Sequence, residues 1–243
     1  FTGTSDCSGT STEERTGVEA FVNLTGIDFS SNYHLFDADL RQNINLVTIT
    51  GNYCYLLGYL GVPPTSSLTT LICSGNELQG INVSQNPNLL TLDCSWNGLF
   101  ATLDVSQNPN LVNLNCSQTD ITTLDLTQNV NLETLVCSYN GITSIDIRNG
   151  NNANMTIFDA TFNSNLTCID VDNAAYSTAN WTNIDAGTSF STNCSAPPAP
   201  IVNIPDATCK AYFVGNAAIH TNGAGAIQVT DATAVTGTLS CSS

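Results

Sequence analysis

The sequence predicts a β-rich solenoid with two short parallel sheets and small helical elements at its caps, and three observations carry that prediction. Cys73, Cys94, Cys116 and Cys137 recur 21, 22 and 21 residues apart, each in the same local context. Self-similarity at a period of roughly 20–50 residues marks a stacked repeat architecture. Each period has two halves of one form, LxxLxCSxN and then LxxLxVSxN. Within each half, apolar residues alternate, as in Leu71-x-Cys73 and Ile81-x-Val83. That is the period of a strand with one face turned inward. One coil cannot bury that face alone, whereas stacked coils can.

Residues 1–23 read as a first coil or the remainder of an N-terminal cap. From Leu24, LTGIDFSSNYHLFDADLRQNIN forms an early, less regular coil, with Phe29 where later coils carry cysteine. From Leu46, LVTITGNYCYLLGYLGVPPTSS keeps the spacing but lacks the regular Asn and runs into Pro63-Pro64. An outward loop over residues 53–64 is the expectation. The regular coils start at Leu68, Leu89, Leu111 and Leu132. Counting continues to Asn165, for about six coils from Leu24.

The cysteines of these coils occupy an apolar position and read as small buried hydrophobes that stay reduced. Adjacent coils lie about 5 Å apart, near the disulfide spacing, but side chains stacked in parallel seldom reach the required dihedral. Asn76, Asn86, Asn97, Asn108, Asn129 and Asn140 close the half-coils. Their amides are expected to turn the chain and bond the backbone of neighbouring coils. Asp104, Asp125 and Asp146 fall 21 residues apart and form an outward column. Each is expected to be a solvated structural Asp bonding to the next turn, with a cation-binding ladder as the alternative use of like charges so close.

The net charge of -16, with only Arg15, Arg41, Arg148 and Lys210 positive, argues against nucleic acid and anionic membrane as partners. No apolar run is long enough to cross a membrane as a helix. The chain opens at Phe1 without Met or a basic leader, the expectation for a processed form or a piece of a longer protein. Charged residues make up only 10% of the chain, and a surface of Asn, Thr and Ser in their place points outside the cell. His34 and His220 are isolated in sequence, and no nucleophile, zinc or phosphate-loop motif occurs. The expectation is therefore a protein that is not an enzyme and has no cofactor. Asn-x-Ser/Thr sequons occur, and Asn23 and Asn180, outside the regular strands, are the glycosylation candidates.

The pattern LxxLxCxxNxLxxLDLxxN resembles the short 21-residue irregular leucine-rich repeats of secreted Bacteroidota proteins, over nearly the whole chain. The resemblance implies a leucine-rich-repeat solenoid over residues 24–195. It also implies a C-terminal cap in which Cys168 pairs with Cys194 while Tyr176 and Trp181 close the apolar end. Residues 196–205 form a Pro-rich linker. Residues 206–243 resemble the cap that begins another module of that family. There TNGAGAIQVTD is similar to a calcium loop in which His220 and Ala224 occupy two positions that should carry oxygen ligands, leaving Asn222, Gly225 and Asp231 as remnants. The possible partners of Cys54 and Cys209 are left open.

The two ends of the sequence repeat each other. Thr236-Gly237-Thr238 matches Thr2-Gly3-Thr4, and Cys241 matches Cys7. One period cut from a tandem array, or a segment of one subunit capping the open coil of the next, would place a cap after the coils it should cover. Thr2, Cys7, Tyr212, Phe213, Ile227, Val229 and Cys241 are then the expected joint residues. The main functional expectation is a structural extracellular protein that assembles head-to-tail. The alternative is a cell-surface adhesin that recognises a protein or glycan through one solenoid face.

Overall fold

A computed structural model describes residues 3–9, 22–195, 201–202 and 227–228. In chain order the strands are β1 (Gly3–Asp6), β2 (Leu24–Asp28), β3 (Asp37–Asp39), β4 (Thr48–Thr50), β5 (Tyr59–Gly61), β6 (Thr70–Ile72), β7 (Thr91–Asp93) and β8 (Asn113–Asn115). They continue with β9 (Thr123–Asp125), β10 (Thr134–Val136), β11 (Ser144–Asp146), β12 (Ile157–Asp159), β13 (Cys168–Asp170), β14 (Ser189–Ser191), β15 (Ile201–Val202) and β16 (Ile227–Gln228). An α-helix, α1 (Ala174–Asn180), lies between β13 and β14.

The chain forms two units, Phe1–Cys194 and Ser195–Ser243. The first is a parallel solenoid. Its main sheet runs β1-β2-β4-β6-β7-β8-β10-β12, and every pairing is parallel. It counts eight strands where the repeat gave about six coils. One extra strand is β1, which precedes Leu24. At the other end β12 hides the repeat, because Phe158 replaces leucine and Ala160 replaces cysteine.

Register stacks Ile27, Ile49, Leu71, Leu92, Leu114, Leu135 and Phe158 in one inward column. All are buried, and each large aliphatic group removed from water contributes roughly 1.5–3 kcal/mol before entropy is counted. A second inward column follows two residues on: Phe29, Gly51, Cys73, Cys94, Cys116, Cys137 and Ala160. Their backbone N–H groups each donate to the carbonyl of the next coil.

A third column turns the chain. Asn32, Asn76, Asn97, Asn140 and Asn163 each donate from Nδ2 to two carbonyls of the inward column, one in their own coil and one in the coil before. The amide oxygen of the last four accepts a backbone N–H from the preceding coil. The expected Asn ladder is thus a set of inter-coil bonds that satisfies backbone groups which stacking would otherwise orphan. On the opposite side Asn86, Asn108 and Asn129 each donate from Nδ2 to two carbonyls, both in the coil before.

The outward loop expected over residues 53–64 does not form. Cys54, Leu57 and Leu60 are buried, and β5 pairs in parallel with β3. Cys54 stands in the Asn column: its N–H donates to Asn76 Oδ1 at 3.0 Å and its thiol to the Phe29 carbonyl at 3.4 Å. The missing Asn leaves the coil closed because a thiol can still bond the carbonyl.

The second face is not one sheet. It divides into β3-β5 and β9-β11-β13-β14, and the intervening segments around Asn82 and Asp104 do not pair in a ladder. Asn82 does carry the same local turn as the aspartates, accepting the Ser84 N–H at 3.0 Å.

At the far end, Cys168 and Cys194 are joined in a disulfide, with Cα atoms 5.8 Å apart. Asn173 caps α1 by accepting the Tyr176 N–H. Trp181 is buried and stacks on Phe158, with centroids 4.4 Å apart, while Phe190 meets both edge-on. Tyr176 is half-buried and donates its hydroxyl to the Ala153 carbonyl. The apolar end is therefore closed mainly by Trp181 and Phe190. In the second unit, β15, which falls within residues 196–205, pairs antiparallel with β16.

Candidate functional site

The residues that precede Asn32, Cys54, Asn76, Asn97, Thr119, Asn140 and Asn163 adopt a left-handed backbone. Ser31, Tyr53, Gly75, Trp96, Gln118, Tyr139 and Phe162 hold this position in successive coils, with φ between 53° and 70°. The N–H of each residue from Ser31 to Tyr139 donates to the carbonyl just before the equivalent residue of the next coil. They form one column, and it points outward. Tyr53 is 50% exposed, Trp96 57%, Tyr139 52% and Phe162 58%.

Left-handed geometry disfavours bulky side chains by about 1–2 kcal/mol per residue. Ser31, Gly75 and Gln118 show that the turn accepts small or polar residues. Four exposed aromatic rings at strained positions are thus not needed by the fold, and strain of this kind collects at functional positions. Tyr139 and Phe162 stack at 4.0 Å. Tyr55, also left-handed, stacks on Tyr33 at 5.5 Å and lies 6.3 Å from Tyr53.

Gly75 opens a notch in this column. A Cβ there would stand 2.5 Å from Tyr53 Cδ1, so only glycine lets the Tyr53 ring lie across the turn. The notch has a volume of about 410 Å³ between Tyr53, Tyr55 and Trp96, with Asn76 and Glu77 among its lining residues. A second, larger cleft of about 710 Å³ lies where the second face loses its ladder. Arg41, Tyr59, Pro64, Gly80, Ile81 and Asn82 line part of it.

Asp125 and Asp146 stand opposite each other in β9 and β11, Asp104 stands in the unpaired segment before them, and all three carboxylates are occupied locally. Asp104 accepts the Ser106 N–H at 2.9 Å, and Asp125 accepts the Thr127 N–H and hydroxyl at 3.0 and 2.7 Å. Asp146 is gripped by the Arg148 guanidinium, whose Nη1 is also 3.8 Å from Asp170 Oδ1. Arg148 thus supplies positive charge between two stacked carboxylates. Hydrogen bonds from Ser106 hold Asp104 below the usual carboxylate range, and Arg148 does the same for Asp146. Among the described residues no group of three or more His, Cys, Asp or Glu side chains is placed to hold a metal ion.

The cysteine column is chemically quiet. Cys73, Cys94, Cys116 and Cys137 are buried reduced thiols. Burial raises the pKa of all four, that of Cys116 to about 12. A neutral thiol is neither a nucleophile nor a metal ligand. Cys73 and Cys94 donate to the carbonyls of Asp93 and Asn115 in the next coil.

Of the other sequence-predicted positions, Asn23 is exposed in the turn before β2. Asn180 is exposed at the end of α1, where its Nδ2 donates to the Tyr176 carbonyl at 2.8 Å. Cys7 is half-buried and continues the inward column beyond Phe29, since its N–H donates to the Asp28 carbonyl. Ile227 lies in β16. Thr2, Cys209, Tyr212, Phe213, Asn222, Gly225, Val229, Asp231 and Cys241 lie outside the described residues. Sequence reasoning does not predict the aromatic column, although CSWN and CSYN carry its signal: an aromatic residue at the variable position of the motif.

Parallel coils of 21–23 residues with an inward cysteine column narrow the comparison to one class of known structures. The fold is a leucine-rich-repeat solenoid. The functional domain of InlJ from Listeria monocytogenes, a structure that includes a cysteine ladder, is similar at 26% identity and a TM-score of 0.51, over 69% of this chain and 43% of that one. The present chain therefore spans less than half of that domain. The leucine-rich-repeat domain of APL1B is similar at 16% identity and a TM-score of 0.46, over 78% and 72% of the two chains. A leucine-rich-repeat protein of Leptospira interrogans, LIC12759, shows 18% identity and a TM-score of 0.37, over 72% and 62%. No family model and no curated protein matches the sequence.

Proposed function

We propose that this chain is an extracellular interaction module without catalytic activity, which binds a protein partner through its outward aromatic column. The observation that carries this reading is the placement of Tyr53, Trp96, Tyr139 and Phe162 at strained, exposed positions where smaller residues serve the fold equally well. Tyrosine and tryptophan are the residues that most often anchor protein interfaces. The charge of -16 favours a neutral or basic partner surface. The Cys168–Cys194 disulfide supports an oxidising, extracellular setting. So does the repeat LxxLxCxxNxLxxLDLxxN, which resembles those of secreted Bacteroidota proteins. No helix among the described residues is long and apolar enough to cross a membrane.

The test is to probe an array of purified secreted proteins and a glycan array with the full chain and with the triple variant Tyr53→Ser, Trp96→Ser, Tyr139→Ser. Binding to proteins that the variant loses, at unchanged thermal stability, is the expected result. Binding confined to glycans, or protein binding indifferent to the three rings, overturns it.

A second reading is structural: modules that join head-to-tail. It is favoured by one observation made of the described residues alone, the change in the inward columns at β1. Ser5 takes the place of leucine there, and both Ser5 and Cys7 are only half-buried.

A further inference from the structure

We infer that the notch at Gly75 receives an arginine side chain of the partner protein, held between the Tyr53 and Trp96 rings with its guanidinium turned to Glu77. The inference rests on the aromatic-column reading and names the partner chemistry which that reading leaves open. Tyr53, Tyr55 and Trp96 line the notch together with Gly75, Asn76 and Glu77. All three rings are exposed, on backbones with φ between 54° and 60°. Two features hold the rings in place before anything binds. The Tyr53 ring lies across Gly75, its Cδ1 2.5 Å from where a Cβ would stand, and Tyr55 is stacked on Tyr33 with centroids 5.5 Å apart. Rings that are already ordered lose little freedom on binding.

Gly75 also sets the width. Tyr53 and Trp96 belong to the coils on either side of it, since the Tyr53 N–H donates to the Ser74 carbonyl and the Gly75 N–H to the Ser95 carbonyl. Two coil steps span about 10 Å, so a cation midway lies within the ~6 Å over which an aromatic face attracts it. Charge then selects the ligand. Glu77 is exposed, and no ion pair among the described residues engages its carboxylate. Asn76 does not compete, because its amide is spent on the Gly51 and Cys73 carbonyls and the Cys54 N–H. Neither described arginine fills the notch from within, for Arg41 grips Asp39 and Arg148 grips Asp146. A molecule of net charge -16 draws a basic group in from outside. Arginine fits better than lysine, because its planar guanidinium stacks on ring faces while its fork meets a carboxylate.

Titration of the isotope-labelled full chain with acetyl-arginine amide, followed by the indole N–H signals, tests this. The Trp96 signal should move saturably at millimolar concentration while that of the buried Trp181 stays in place. Acetyl-lysine amide and the neutral isostere acetyl-citrulline amide should bind at least about fivefold more weakly, and Glu77→Gln should weaken arginine binding by a similar factor. Tyr139→Ser, a change in the column outside the notch, should leave arginine binding as it is. The absence of a saturable shift overturns the inference, as does equal affinity for arginine and either analogue, or a Glu77→Gln chain that binds as tightly as the original. Protein partners that need the three rings yet tolerate Glu77→Gln would overturn this inference and leave the aromatic-column reading standing. Arginine binding by a chain that captures no protein would overturn that reading and leave the notch chemistry standing.

Discussion

The ring of Phe29 lies where a side chain on Gly51 would be: a Cβ on Gly51 would stand 2.1 Å from Phe29 Cε2. The two residues are neighbours in the column that later coils fill with cysteine, so one large and one absent side chain replace two of intermediate size. Gly51→Ala should therefore destabilise the chain by about 1–3 kcal/mol through overpacking, and Phe29→Cys by a comparable or larger amount through the cavity it leaves. The double variant Phe29→Cys, Gly51→Cys should cost less than the two single changes added together, by at least about 1 kcal/mol. Urea unfolding of the four proteins measures the coupling, and strict additivity would refute it.

The Asn column should be far more sensitive than its exposed counterparts. Asn97 is buried and bonds the carbonyls of Cys73 and Cys94 and the N–H of Leu78. Asn97→Ala orphans these groups and should cost about 2–4 kcal/mol. Asn110 also donates to a carbonyl of the preceding coil, that of Pro87, but from an exposed position. Water can replace that bond, so Asn110→Ala should stay within about 1 kcal/mol. Equal losses in the two variants would show that the ladder is not what closes the coils.

The buried thiols make alkaline pH destabilising. In the unfolded chain a cysteine ionises near about 8.5, whereas in the folded chain burial holds Cys73, Cys94, Cys116 and Cys137 neutral, with Cys116 pushed up to about 12. Between those values the folded state holds protons that the unfolded state has lost, so stability falls as pH rises, by up to about 1.4 kcal/mol per pH unit for each thiol. The urea midpoint should be flat from pH 6 to 8, apart from other titrations, and should fall above about pH 9. Cys94→Ala should shallow that fall. An unchanged slope would mean that the thiol is accessible, which native-state alkylation would also reveal.

Trp96 offers the reverse case, a residue whose removal should not harm the fold. Its φ is 56° and its side chain is mostly exposed. Trp96→Gly relieves left-handed strain and should leave stability unchanged or raise it by about 1 kcal/mol. Thermal unfolding checks this directly. A loss above about 2 kcal/mol would make the ring a structural element.

Much of the solenoid was legible because its information is local and repeated. Leu71 and Cys73, two residues apart, announce an inward strand face, and recurrence after 21 residues announces stacking. Asn97, recurring at the end of the half-coil, announces the turn and its inter-coil bonds. Residues 53–64 were not legible, because their Pro63-Pro64 and missing Asn suggest a loop to anyone reading the coil alone. Only the neighbouring coils show that Cys54 can serve in the Asn column and that β5 still pairs with β3. The break in the second face around Asn82 and Asp104 was equally hidden, since their sequences keep the repeat while their backbones do not keep the ladder.

The sequence by itself determined the period, the inward residues and the Asn turns, because each follows from spacing that every coil restates. Only the tertiary structure decided which variable positions matter. Trp96 and Tyr139 look like ordinary substitutions in CSWN and CSYN until stacking sets them in one exposed column with left-handed backbones. The pairing of Phe29 with Gly51 appears only when two coils lie against each other. Side-chain size and backbone strain are judged against neighbours that are a full coil away in sequence and one strand spacing away in space, and it is the stacking that makes them neighbours.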